Sequence, residues 1–208
     1  SRVYDGLLFK FKALSVKPRM GALFFSGTSM RSRNVYVGDF TDPNSTSDLF
    51  PYRNLITHIN ATYPTGYTPT GPAMWDTFNY YKQVSPKYGG LSPQSGTGDY
   101  WKNPMYACAQ GGTNCKYIPC AKNFVILLSD GQWNKGGYPV GGACTIDKGY
   151  EDNSADPVVP AYKMHMGFTN VKTNIKTSVG AVYSIGLFLG GTGEKALKNV
   201  AMYGSFNN

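Results

Sequence analysis

The chain has 208 residues and a formal net charge of +8, with 20 basic and 12 acidic side chains. Hydrophobic residues make up 41% of it and charged residues only 15%, while Gly (25), Tyr (16) and Pro (13) are abundant, a profile that favours a loop-rich extracellular binding module over a cytosolic enzyme. Because the lysines are scattered singly and the sequence has no apolar run of about twenty residues, we expect neither a nucleic-acid partner nor a membrane span.

The first half of the chain predicts one amphipathic helix, two strands and two further helices. Apolar residues recur with a period near 3.6 across residues 3–14, and Pro18 ends that pattern. A hairpin turn is expected at residues 26–30. The strands that it joins are expected at residues 20–25 and 35–40. Two later helices are expected at residues 52–61 and 71–83.

The second half predicts two strands and a closing helix. The apolar run at residues 124–128 is typical of a buried central strand in a parallel sheet. Residues 179–189 are rich in Val, Ile, Tyr and Gly and predict another strand. The last helix is expected at residues 194–203, with Gly204 as its C-terminal stop.

Two short motifs place oxygen-bearing side chains beside these elements. Asp130 follows the 124–128 strand, and Thr68 lies in the Gly-Tyr-Thr-Pro-Thr-Gly segment that leads into the 71–83 helix. In open α/β sheets, ligands bind beyond the carboxyl ends of the strands. A carboxylate and a hydroxyl on neighbouring loops suit a hard divalent cation, so Thr68 and Asp130 are the predicted metal residues.

These two motifs, Gly-Tyr-Thr68-Pro-Thr-Gly and Phe-Val-Ile-Leu-Leu-Ser-Asp130-Gly, resemble the second and third elements of the metal-ion-dependent adhesion site of von Willebrand factor A domains. The resemblance implies that Thr68 and Asp130 help to hold Mg²⁺, Mn²⁺ or Ca²⁺. The first element of that site, Asp-x-Ser-x-Ser, supplies the other ligands in the family, and it does not occur in these 208 residues. The resemblance therefore implies a divalent-cation site that is incomplete in this fragment.

Four other segments extend the resemblance: Asp5-Gly-Leu-Leu, Arg19-Met-Gly-Ala-Leu-Phe-Phe, Val182-Tyr-Ser-Ile-Gly and Leu197-Lys-Asn-Val-Ala-Met-Tyr-Gly. They are similar to segments of the N-terminal domains of PilY-type proteins, the tip adhesins of bacterial type IV pili. This similarity implies an extracellular location, at the bacterial cell surface and the pilus tip. It also implies minor pilins and a host or surface ligand as partners, and roles in adhesion and pilus assembly.

The family's fold is α/β, a von Willebrand A-like (Rossmann-like) and mostly parallel sheet flanked by helices. Residues 1–208 would form a partial domain of this kind, with insertions at about residues 84–119 and 131–177. The first and last strands of the family's sheet have no counterpart in the sequence, which also opens within its first predicted helix and so indicates a piece of a longer protein. We expect the missing strand to come from the remaining segments of the same protein or from a partner chain.

The four cysteines are expected to staple the insertions. An even number of cysteines in an exported protein predicts disulfides, and of the three pairings we expect Cys108–Cys115 and Cys120–Cys144. A zinc site is the alternative. Spacings of 6, 4 and 23 residues between successive cysteines fit no common Cys-x2-Cys pattern, which favours the disulfides.

The aromatic residues of the insertions admit two interpretations. Trp101, Trp133 and several tyrosines either contact a protein or glycan partner or pin the loops to the domain. The sequence leaves both interpretations open.

Three functions follow from these observations. The first is a metal-dependent adhesion domain, in which a carboxylate of the ligand completes the coordination of the cation. The second is a metal-free structural or assembly domain of the same fold. The third, a hydrolase, is disfavoured because Ser129-Asp130-Gly131 is not a nucleophile elbow and neither His58 nor His165 has visible triad partners, so we expect no enzyme activity.

Overall fold

The structure, a computed structural model, describes residues 6–26, 29–30, 34–38, 52–63, 66–129, 157–187 and 192–205. Within these ranges the molecule is mixed α/β, with a small parallel sheet and a disulfide bond. Asp130, Trp133 and Cys144 lie outside the described residues.

Five α-helices and eight short strands make up the part of the chain that the structure describes. The helices are α1 (Leu7–Lys12), α2 (Arg53–Asn60), α3 (Thr70–Lys82), α4 (Val158–Met166) and α5 (Thr192–Ser205). The strands are β1 (Phe25–Ser26), β2 (Ser29–Met30), β3 (Tyr106–Ala109), β4 (Thr113–Tyr117), β5 (Phe124–Ser129), β6 (Phe168–Asn170), β7 (Ile175–Thr177) and β8 (Ala181–Gly186). None of these helices is long and apolar enough to cross a membrane.

Strands β5 and β8 form a parallel pair, in register from Phe124 opposite Ala181 to Ser129 opposite Gly186. Side chains alternate along β5: Leu127 is buried, but three others are at least half exposed, namely Phe124 (51%), Ile126 (60%) and Leu128 (55%). The sequence predicted a strand buried on both faces. That prediction is wrong for β5, because the described helices pack on only one face of the pair.

Helices α4 and α5 cover the inward face of the parallel pair. The inward residues Leu127 and Val182 belong to one apolar core with side chains from both helices, namely Val158, Ala161, Met164, Leu197 and Val200. Helix α4 and the β6–β7 hairpin occupy residues 157–177 of the predicted second insertion, so this described part carries core rather than loop.

Gly204 lies inside α5 and is not the stop that the sequence predicted, since the helix continues to Ser205. The reason is close packing. A Cβ atom at Gly204 would lie 2.6 Å from Cβ of Val182 and 3.4 Å from Cβ of Ala161, so only glycine allows α5 to approach both neighbours.

The N-terminal strands predicted at residues 20–25 and 35–40 are much shorter in the structure. Ala22 and Val35 form a single antiparallel bridge, and Phe25 pairs with Met30 in the β1–β2 hairpin. Ser29 and Met30, which were predicted to lie in the turn, belong to β2, and residues 27–28 lie outside the described residues. Residues 39–40 lie outside the described residues. No other described strand offers hydrogen bonds to this segment, so a longer ladder does not form.

The β3–β4 hairpin of the first insertion is closed by the Cys108–Cys115 disulfide, which confirms that predicted pairing. Cys120 has a free, exposed thiol. Its predicted partner Cys144 lies outside the described residues, so the second pairing stays a prediction without support from the structure.

A series of buried amide side chains ties the first insertion to α3 and to the β6–β7 hairpin. The Gln94 N–H donates to the side-chain oxygen of Gln83 (2.8 Å), and the Asn103 amide donates to the side-chain oxygen of Gln94 (3.2 Å). The Asn170 amide donates to the side-chain oxygen of Asn103 (3.2 Å). All four side chains are buried, so these bonds offset the cost of removing amides from water.

Asp76 on α3 fixes the start of the same insertion. Its fully buried carboxylate accepts hydrogen bonds from the N–H groups of Lys87 (2.7 Å), Tyr88 (3.0 Å) and Gly90 (2.8 Å). Burial raises the pKa of Asp76 above its usual value, against the lowering effect of these bonds. A Cβ at Gly90 would lie 2.8 Å from the carboxylate, so glycine is required there.

We predict that Asp76→Ala lowers the free energy of unfolding by about 3 kcal/mol, because several buried N–H donors lose their acceptor. Urea denaturation measures the loss. The matched control is Asp99→Ala, whose carboxylate accepts from Ser95 and Gly96 on an exposed turn, and it should cost about 1 kcal/mol. Equal losses in the two variants would contradict a special role for Asp76.

The two carboxylates should also give pH dependences of opposite sign. Burial raises the pKa of Asp99, but hydrogen bonds from Gly96, Ser95 and Lys102 outweigh it and hold the pKa well below its usual value. The contribution of Asp99 to stability is therefore present above about pH 4 and is lost as the pH falls below it. The pKa of Asp76 is raised, so its contribution is greatest below about pH 4 and declines as the pH rises through the folded-state pKa.

We therefore predict that the cost of Asp99→Asn shrinks between about pH 6 and about pH 3, whereas the cost of Asp76→Asn grows. Chemical denaturation of both variants and the parent chain across this range measures the two slopes. Slopes of the same sign would show that one of the two environments is wrongly described.

Candidate functional site

Helix α3 begins at Thr70, two residues after the predicted metal residue Thr68. The Thr70 N–H donates to the Thr68 carbonyl oxygen (3.0 Å), which closes a tight turn at Pro69. Pro72 lies in the first turn, where N–H groups have no intrahelical acceptor, so it removes no hydrogen bond. Thr68 is thereby held next to the positive end of a 13-residue helix.

The two threonines of this turn differ in their surroundings. Thr68 is half-buried, and its neighbour Tyr67 is 52% exposed, so the loop is open to a ligand. Thr70 is fully buried, and its hydroxyl oxygen has no hydrogen-bond partner. A buried hydroxyl without a partner is uncommon, and it is a feature of this turn that the sequence analysis did not single out.

Strand β5 ends at Ser129, directly before Asp130 of the second motif. The Leu187 N–H donates to the Ser129 carbonyl oxygen (3.0 Å), and Ser129 is buried. Met74 of α3 and Leu127 of β5 share the apolar core, so the helix and the strand belong to one packed unit. Asp130 is the next residue after β5 and lies outside the described residues, so its convergence with Thr68 stays a prediction.

The described residues alone do not make a complete cation site. No group of three or more His, Cys, Asp or Glu side chains lies close enough to hold a metal within the described ranges. A hard divalent cation takes about six oxygen ligands, and this turn offers the hydroxyls of Thr68 and Thr70. The donor chemistry fits such a cation, but carboxylates must come from Asp130 and from a further segment.

The aromatic side chains of the first insertion pack on the domain. The Trp101 ring lies edge-on to Tyr36, with ring centroids 5.0 Å apart, and a Cβ at Gly112 would lie 2.8 Å from the Trp101 ring. Tyr106 packs between Tyr100 (4.6 Å) and Tyr117 (5.7 Å). The Trp101 contact supports the interpretation that aromatics pin the loop to the domain, whereas the three tyrosines pack on one another inside the insertion.

A shallow cleft of about 430 Å³ lies at the opposite, amino-terminal ends of β5 and β8. Lys122 and Lys176 line it, together with the exposed Cys120 and with Met166. Sequence patterns carry no signal for this cleft, because its two walls are 44 or more residues apart in the chain.

Comparisons with protein-family models, with curated proteins and with solved structures find no match to this chain.

We predict that Thr70→Val raises the free energy of unfolding by about 1 kcal/mol, because valine removes a buried hydroxyl without a partner at nearly constant volume. Thermal and urea denaturation measure the change. Thr77→Val is the matched control on the same helix, since its hydroxyl donates to the Ala73 carbonyl oxygen (2.8 Å) and should give no such gain. A loss of stability in Thr70→Val would show that the hydroxyl has a partner in solution.

Proposed function

We propose that this chain is part of a von Willebrand A-like adhesion domain at the extracellular tip of a bacterial type IV pilus. The observation that carries the proposal is the parallel β5–β8 pair, whose carboxyl-terminal edge leads directly to Asp130. Helix α3 supports the proposal, because Thr68 lies on an open loop next to its N-terminus. Ligands of α/β sheets bind beyond this edge of the strands.

In the proposed mechanism, the Thr68 hydroxyl and the Asp130 carboxylate would hold a Mg²⁺, Mn²⁺ or Ca²⁺ ion. When bound, the cation supplies a positive centre that attracts a carboxylate of a host or surface ligand. An Asp-x-Ser-x-Ser segment from outside residues 1–208 contributes the remaining protein ligands. The hydrogen bond from the Thr70 N–H to the Thr68 carbonyl oxygen holds Thr68 beside the start of α3.

The open edge of β5 supports a strand supplied from elsewhere. Because Ser129 bonds to Leu187 of the β8 segment, the odd-numbered residues of β5 direct their backbone groups toward β8. The even-numbered residues Phe124, Ile126 and Leu128 then direct theirs to the other edge, where no further described strand pairs. We propose that another segment of the same protein, or a partner such as a minor pilin, pairs there.

A metal-free assembly domain of the same fold is the second candidate. It is supported by the finding that no group of three or more His, Cys, Asp or Glu side chains within the described ranges could hold a metal. In that case the open edge would serve pilus assembly alone, and cations would leave the domain unchanged.

We predict that the 208-residue chain binds Mn²⁺ weakly and that a peptide bearing a short apolar run followed by Asp-x-Ser-x-Ser tightens the binding at least about tenfold. Electron paramagnetic resonance of free Mn²⁺ measures the affinity. The gain is expected because a carboxylate and two hydroxyls join Thr68 and Asp130. Slowed amide exchange at Phe124, Ile126 and Leu128 reports that the peptide has paired with β5.

Three controls make this test specific. Thr68→Ala and Asp130→Ala should each abolish the gain, while Thr77→Ala, in the middle of α3, should retain it. A peptide with Asn-x-Ala-x-Ala should pair with β5 without tightening Mn²⁺ binding. Pairing by the Asp-x-Ser-x-Ser peptide without tighter Mn²⁺ binding would reject the cation site and favour the assembly domain.

A further inference from the structure

The parallel pair has a second face on which no described helix packs and which the cation site does not use. Six large apolar side chains point away from the helices, three from each strand segment, and each is between 43% and 60% exposed. They are Phe124, Ile126, Leu128, Tyr183, Ile185 and Leu187. The rings of Phe124 and Tyr183 lie 6.3 Å apart across the two strands, so the residues form one continuous surface, which we call the outer face.

The outer face is large for a surface left in water. With its six large side chains each about half exposed, it presents on the order of 500 Å² of apolar area, near the top of the range for the largest patch on a monomer. Parallel sheets are normally covered on both faces. Helices α3, α4 and α5 share the core with the inward residues Leu127 and Val182, so they are not available to cover it.

A strand added to the open edge of β5 would leave the outer face exposed. A new strand lies beside β5 in the plane of the sheet and therefore widens the outer face without covering it. A partner that covers the outer face must pack on it from above the sheet and must present an apolar surface of similar size.

We propose that the outer face is the contact surface between two copies of this chain, packed sheet against sheet about a two-fold axis. Two outer faces together remove on the order of 1,000 Å² from water, which reaches the lower limit for a specific interface. None of the six side chains is charged, so the contact buries no ion. The net charge of +8 lies elsewhere and weakly opposes approach, so added salt should strengthen the dimer.

Sedimentation of the 208-residue chain over a range of concentrations tests this proposal. We expect a reversible monomer–dimer equilibrium that shifts toward dimer at higher salt. Ile126→Lys places a charge at the centre of the outer face and should weaken the dimer at least about a hundredfold. Val171→Lys, at a similarly exposed position on the β6–β7 turn (51%), is the matched control and should leave the equilibrium unchanged.

A second variant keeps the test decisive if Ile126→Lys folds poorly. Ile126→Cys, made together with Cys120→Ser and Cys144→Ser, should form a disulfide-linked dimer under mild oxidation, whereas Val171→Cys in the same background should not. A parent chain that stays monomeric at about 200 µM, well above the K_d of a weak specific contact, would overturn the proposal. So would a dimer that survives Ile126→Lys, because either result would show that a different occupant, or a different surface, is involved.

Discussion

The structure depends on the burial of the inward face of the β5–β8 pair against α4 and α5. Val158, Ala161, Val182 and Val200 are fully buried there, and each fully buried aliphatic side chain of the valine class contributes about 1.5–3 kcal/mol. The glycine at position 204 sets the distance between α5 and β8, because any side chain would collide with Val182. This contact holds α5 against a strand pair that is in register from Phe124 opposite Ala181 to Ser129 opposite Gly186.

A second, polar set of contacts attaches the first insertion to this core. Arg19 donates to the carbonyl oxygens of Tyr106 (2.6 Å) and Pro104 (2.9 Å), and burial lowers the pKa of its guanidinium. These bonds join the N-terminal segment to the β3 strand, while the amide series from Gln83 to Asn170 joins the same insertion to α3 and β6. Apolar contacts would tolerate several orientations of the insertion. Hydrogen bonds between buried groups tolerate few, because a misplaced buried donor costs about 1–3 kcal/mol.

Local patterns were sufficient to predict the two parallel strands and every described α-helix except α4. They did not predict the helix and hairpins inside the two insertions, or how the predicted elements are covered. The sequence located α2 and α3 to within one residue and α5 to within two, because apolar period, proline and glycine act within a few residues. The exposure of Ile126 could not be predicted, since an apolar run indicates a strand without showing whether helices cover both faces. The role of Gly204 was misjudged for the same reason, because the constraint comes from Val182, 22 residues away.

In the candidate site, too, local features could be predicted from the sequence and tertiary contacts could not. The motif around Thr68 predicted a loop before a helix, and α3 begins there. The burial of the neighbouring Thr70 depends on tertiary packing, and the sequence carries no sign of it. The Cys108–Cys115 bond was predictable because both residues lie on one hairpin, seven positions apart, whereas the two walls of the cleft near Cys120 come from distant segments.

The open edge and the outer face differ in how favourably water solvates their groups. Water satisfies the N–H and C=O groups of an exposed edge, so a strand that pairs there exchanges one set of hydrogen bonds for another and gains little net free energy. Water does not satisfy the outer face, where covering on the order of 500 Å² is worth on the order of 10 kcal/mol before the cost of association. The open edge would therefore determine the register and identity of an added strand, because its hydrogen bonds are directional. The outer face would determine the affinity for the partner that covers it. A partner that engaged both would combine the two properties, and β5 is the element at which they meet.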